Sequence, residues 1–245
     1  MSTPRDLMIV ALDMIPVRPL ERGDLSLALA GAEAYDLLRG GVIGLDATER
    51  IRPAARSGSA ARPEPVNRPD PRDPDPKDPD PRDPDPKDPD PRAPDAGEPD
   101  PLLEEAAASL LREAPYESLE DWLWRRGRGL ASTYLTALAQ EGQVSWQRDR
   151  QRNRWLPFRG GRTVLGDTEA RRRAAYRWAA DEPVLLALAA AVGIRDEITP
   201  AEPAATDDAV LTVLAAVHDA VMELEAVRQR RAIEEAAFAN VWRGA

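Results

Sequence analysis

Apolar positions recur at helical spacing through the first fifty residues and again beyond residue 100, with a break between the two regions. DLMIVALD (6–13) follows Thr3-Pro4-Arg5-Asp6, which predicts a helix from Thr3 to about Leu12, opened by a capping box with proline at N1. In DLSLALAGAEAYDLLRGG (24–41), Leu25, Leu29, Ala32, Leu37 and Leu38 suit one buried face, and Gly40-Gly41 stop the pattern. VIGLD (42–46) reads as a short strand. After the break, PLLEEAAASLLREAP predicts a helix over 101–115, ended by Pro115. Ser118-Leu119-Glu120-Asp121 starts another helix reaching Gly142, bent at Gly127 and Gly129. VSWQ and WLPF predict the strands of a hairpin over 144–158, and helices follow over 167–180, 183–193 and 207–230, with a last one reaching Trp242.

The break is a Pro/Asp/Arg tract. Residues 73–92 repeat DPDPK and DPDPR, and proline's fixed φ with the extended bias of the residue before it predicts a spacer without a core. From Asp70 to Asp100 the tract holds twelve acids and five bases, an excess of charge that predicts a solvated linker or an acidic strap competing for cations elsewhere in the chain. The expected fold class is therefore mainly α: a helical bundle domain with one protruding β-hairpin, interrupted by a long disordered Pro/Asp-rich insertion. Residues 1–50 supply the first part of that domain, 51–100 the insertion and 101–245 the remainder, because about fifty residues are few for an independent core.

Composition narrows the function. The 245 residues contain no cysteine and one histidine, His218, so neither a thiolate nor a histidine-cluster metal site is available, and no cofactor is expected. His218 sits in VLTVLAAVHDAVMEL, where the apolar stripe predicts a core or core-edge position. No phosphate-binding glycine motif and no nucleophile–base pair stands out, so an enzyme is not expected. Lysine occurs only at Lys77 and Lys87, an arginine bias typical of a high-GC bacterial genome. No apolar run is long enough to span a bilayer and no signal peptide is evident, which predicts a cytoplasmic protein with peripheral membrane contact at most.

Charge is distributed unevenly. The chain carries −10 overall, yet Arg125 to Trp178 gathers thirteen arginines against four acids. Guanidinium groups bind phosphate bidentately, so Arg125, Arg126, Arg128, Arg148, Arg150, Arg152 and Arg154 are candidate lipid- or anion-binding residues. Trp146, Trp155 and Phe158 are candidate membrane-interface anchors among them. The alternatives are a protein-interaction scaffold without lipid affinity and a winged-helix-type nucleic-acid binder with 117–141 as recognition helix. Few Asn or Gln residues sit where that helix would read bases, so nucleic acid is not the favoured partner.

The order DLMIVALD (6–13), LALAGAEAYDLLRGGVIGLD (27–46), DPLLEEAAASLL (100–111), GLASTYLTALAQEGQV (129–144) and VLTVLAAVHDA (210–220) resembles the consecutive blocks of the Golgi phosphoprotein 3 family. The resemblance covers most of the chain outside the Pro/Asp tract. It implies a helical domain with a projecting hairpin, acting as a non-catalytic peripheral membrane adaptor for phosphatidylinositol 4-phosphate. Its partners would be anionic membrane lipids and client protein tails, with self-association through the hairpin. The family's lipid-site positions fall at Glu21, Ala30, Arg128 and Ala131, of which Arg128 alone carries the family's residue.

Overall fold

The computed structural model describes residues 2–54, 100–148, 161–195 and 207–243. The Pro/Asp tract and residues 149–160 and 196–206 lie outside the described residues.

Helix α1 (Thr3–Asp13) and helix α2 (Arg22–Arg39) form where the apolar periodicity places them. Leu7, Ile9, Leu29 and Ala32 are fully enclosed. The start of α1 departs from the expected capping box. Its N-cap is Ser2, whose side chain makes no cap hydrogen bond, and the backbone N–H of Thr3 donates instead to Asp36 Oδ2 of α2 at 2.7 Å. Asp6 is thereby released from capping and buried as an ion-pair acceptor.

After α2, Gly41 takes a left-handed φ of 64° and the chain folds into a hairpin of β1 (Ile43–Leu45) and β2 (Ile51–Pro53). Their register pairs Gly44 with Arg52. The second strand was expected to be linker; it is ordered because Ile51 is buried and its N–H donates to Glu117 O at 2.9 Å.

On the far side of the tract, α3 (Pro101–Ala108) is shorter than expected. Asp100 caps it, accepting from Leu102 N, and it ends at Ser109, after which the chain swings to lay residues 116–118 along β2. The expected long helix from Ser118 is two: α4 (Leu119–Arg126), capped by Ser118, and α5 (Leu130–Gln140). Gly129 separates them with a φ of 70°, a conformation that side-chain-bearing residues rarely adopt. The continuous recognition helix required by a winged-helix reading is therefore absent.

Strand β3 (Val144–Arg148) pairs antiparallel with β4 (Gly161–Leu165), matching Val144 to Leu165 and Arg148 to Gly161. The observed partner of VSWQ is thus GRTVL, beyond the expected WLPF, which lies outside the described residues. Helices α6 (Glu169–Ala179) and α7 (Pro183–Ala191) follow, and α8 (Asp208–Arg243) runs unbroken for 36 residues where two helices were expected, because neither Gly nor Pro interrupts it.

The core forms around α2, which packs on α1, α4, α5, α7 and α8, so helices from both sides of the tract share one interior. Helices α2 and α8 approach closely at Gly31. A Cβ added at Gly31 would lie 2.1 Å from Val217 Cγ2, so only glycine allows this helix contact. His218, one residue on, faces solvent and not the core: the inward positions are Val210, Val213, Val217 and Val221, and His218 stands about 100° around the helix from Val217. Gly31→Ala is expected to destabilise the protein by about 1–3 kcal/mol through overpacking. Adding Val217→Ala should recover most of that loss in chemical denaturation, and a purely additive double variant would contradict this account of the contact.

Candidate functional site

The arginines of the cationic region separate into two groups. Those on helices are engaged by the protein's own acids. Arg125 forks onto Glu117 with two 2.7 Å hydrogen bonds and lies over the Trp122 ring, 5.1 Å from its centroid. Arg126 reaches inward and donates to both oxygens of Glu33, at 2.7 and 3.0 Å, while also meeting Glu105 and the Leu102 carbonyl. All four arginines of α6 are likewise paired: Arg171 with Asp13, Arg172 with Asp167 and Glu169, and Arg173 and Arg177 with the buried Asp6.

Glu33 is the residue that the sequence reading missed. It is fully buried, and besides Arg126 it accepts from the Tyr134 hydroxyl at 2.9 Å. Its signal was present: it lies four residues after Leu29 and four before Leu37 on the inward face of α2, where an acid requires a partner. Burial raises its pKa above the ordinary 4.5, and the bonds from Arg126 and Tyr134 pull it back down. Burial disfavours the charged form of Arg126, but its bonds to Glu33 and Glu105 outweigh that, so the net shift is upward.

Arg128 differs from its neighbours. It is exposed at the α4–α5 turn, and among the described residues no carboxylate pairs with it. The turn lies against the start of α2: the Ala131 N–H donates to Ser26 Oγ at 3.1 Å, and Gly127 sits beneath the Ser26 carbonyl and Leu27. Of the positions carried over by resemblance, Ala30 and Ala131 are buried, while Glu21 and Arg128 are exposed. Two of the four positions are thus enclosed alanines.

The remaining candidates belong to the hairpin. Trp146 and Arg148 are on β3, and Arg150, Arg152, Arg154, Trp155 and Phe158 fall in the connection outside the described residues. From Val144 to Leu165 the sequence carries six arginines and one acid, Asp149. A separate open depression of about 590 Å³ lies between Tyr35, Arg39, β1 and the starts of α7 and α8. Glu182 and Asp207 already cap those helix starts, so carboxylates stand where an anion would sit. Among the described residues no helix is long and apolar enough to cross a membrane, and no group of His, Cys, Asp and Glu is arranged to hold a metal ion.

Fold and charge together define an α-helical module that carries a cation-rich β-hairpin. The family model for Golgi phosphoprotein 3 (GPP34) matches residues 4–236, and the chain belongs to that family. No curated protein and no solved structure matches it.

Two outcomes follow from the paired acids. Arg126→Met, which strands the buried Glu33 charge, is expected to cost about 3–5 kcal/mol in urea unfolding, whereas the more exposed Arg125→Met should cost less than about 1. For pH, burial also raises Asp36 above its ordinary 3.8. A carboxyl that holds its proton more tightly when folded adds stability fully below its unfolded pKa and loses that contribution as pH rises through the raised folded value. Acidification from neutrality toward the ordinary 3.8 is therefore expected to raise the Asp36 contribution, and Asp36→Asn to flatten the dependence of the urea midpoint on pH.

Proposed function

We propose that this protein is a non-enzymatic peripheral membrane module that docks on anionic, phosphate-bearing lipid surfaces through its hairpin and acts there as an adaptor. The supporting observation is the division of the arginines. Those on α4 and α6 are engaged by the protein's own acids and Arg128, in the α4–α5 turn, is exposed, whereas the hairpin sequence carries six arginines against one acid. Trp146, Trp155 and Phe158 interleave with them as residues suited to the headgroup level. Docking is electrostatic, each basic residue near an anionic surface contributing on the order of 1 kcal/mol, with aromatic burial adding to it. Membership in the Golgi phosphoprotein 3 family supports a phosphoinositide such as phosphatidylinositol 4-phosphate as the lipid class. Arg128, exposed beside the start of α2, is the residue placed to add headgroup preference. Arg125 and Arg126 support the site from within and do not contact lipid. In this reading the protein is cytoplasmic and reversibly membrane-bound.

Vesicle co-sedimentation at two salt concentrations tests this, with neutral, generic anionic and phosphatidylinositol 4-phosphate vesicles, the last two at matched charge. Replacing Arg148, Arg150, Arg152 and Arg154 by Ser is expected to weaken anionic-vesicle binding by roughly 100-fold or more at low salt. Unchanged binding would remove the hairpin from the mechanism. Arg128→Ser should reduce the phosphoinositide preference alone, and no binding of the wild-type chain to any vesicle would overturn the proposal.

A further inference from the structure

Helix α8 has two apolar faces, and its own fold uses one. The inward face, Val210, Val213, Val217, Ala220 and Val221, is buried against α2, α4 and α7. On the opposite side Leu211, Met222 and Ile233 are 43, 50 and 70% exposed. They are spaced eleven residues apart. Ala215, Ala226 and Ala237, all exposed, repeat with the same period, as do the polar His218, Gln229 and Asn240. Eleven residues complete just over three helical turns, so each series runs nearly straight along the helix in a continuous stripe of large, small and polar positions. Residues 231–238 are exposed throughout.

We infer that this stripe is the interface of a homodimer in which two α8 helices pack antiparallel about a twofold axis close to Leu224. The pattern is self-complementary when the helices run antiparallel, and this register pairs the most positions along them. Leu211 meets Ala237 of the second copy, Ala215 meets Ile233, and Met222 meets Ala226, so each large side chain faces a small one; the twofold repeats all three contacts. Alanine at every opposing position lets the helices approach closely over about 40 Å. A parallel pairing stacks large on large and small on small. Charge agrees with the antiparallel choice. Asp219 comes opposite Arg230 of the other copy, and His218 opposite Gln229. Within its own chain α8 forms ion pairs through Glu225 to Arg18 and Arg228 to Asp24, leaving Asp219 and Arg230 exposed and, among the described residues, without an ion partner. Because the body packs on the other side of α8, the two bodies lie on the outer sides of the helix pair. The part of α8 that projects beyond one body then covers the first half of α8 on the other.

Sedimentation equilibrium of the full chain is expected to give a concentration-dependent dimer. Ala226→Glu places two carboxylates near the axis and should weaken dimerisation at least tenfold, with the helical circular dichroism unchanged because Ala226 is exposed. Asp219→Arg and Arg230→Asp should each weaken it, and the double variant should restore it. Orientation is read separately in this cysteine-free chain. Ala215→Cys and Ile233→Cys should form a disulfide when mixed and neither by itself, since identical positions stand about 27 Å apart in the antiparallel pair. A monomer at every concentration, or a dimer indifferent to Ala226→Glu, overturns the inference. Disulfides formed by each single variant alone would refute the antiparallel arrangement. The result is independent of vesicle binding, which the hairpin substitutions test.

Discussion

The fold depends on one buried carboxylate. Glu33 has no access to water, and a charge there is tolerable only while Arg126 and Tyr134 satisfy it. Both partners come from the far side of the Pro/Asp tract, on α4 and α5. The pairing therefore ties α2 to the second half of the chain through an interaction that no apolar substitute reproduces with the same direction. Packing alone would tolerate sliding of alanine-rich helices past one another, whereas a bidentate ion pair fixes their register. Arg126 also holds Glu105 and the Leu102 carbonyl of α3, which places the first helix after the tract in the same network.

A second network does the same for the other end of the body. Asp6 of α1 receives Arg173 and Arg177 of α6, and Arg177 continues to Glu182 ahead of α7. At the junction with the tract, Asp100 accepts from Ser2 and pairs with Arg5, which also grips Glu141. These arrangements explain much of a charge pattern that resembled a single cationic patch. Arginine serves here as an internal connector because its planar fork satisfies two carboxylate oxygens at once and remains charged when partly buried. Arg128, beside the start of α2, is exposed and pairs with no carboxylate among the described residues.

The helices were legible because their apolar residues recur at the period of the fold itself, and the family blocks were legible in their order. Boundaries set by remote partners were not. Nothing near Thr3 announces that its N–H is satisfied by Asp36, thirty-three residues away, or that Asp6 is needed by α6. The β2 strand read as linker because Ile51 is one apolar residue among prolines and arginines, and its order comes from Glu117 and Ser118. The apolar stripe around His218 places it at the core or its edge, yet a helix with two apolar faces leaves room for an exposed polar residue between them.

The sequence by itself determined that this is a helical chain with a projecting cation-rich hairpin and a proline-rich interruption, since helical periodicity, proline geometry and local charge are properties of neighbouring residues. The tertiary structure alone decided that Arg126, Arg173 and Arg177 are tied to buried acids while Arg128 is exposed. That difference lies in whether a carboxylate from a distant segment arrives within hydrogen-bonding distance, and only the packing of α2 against the helices beyond the tract brings those segments together.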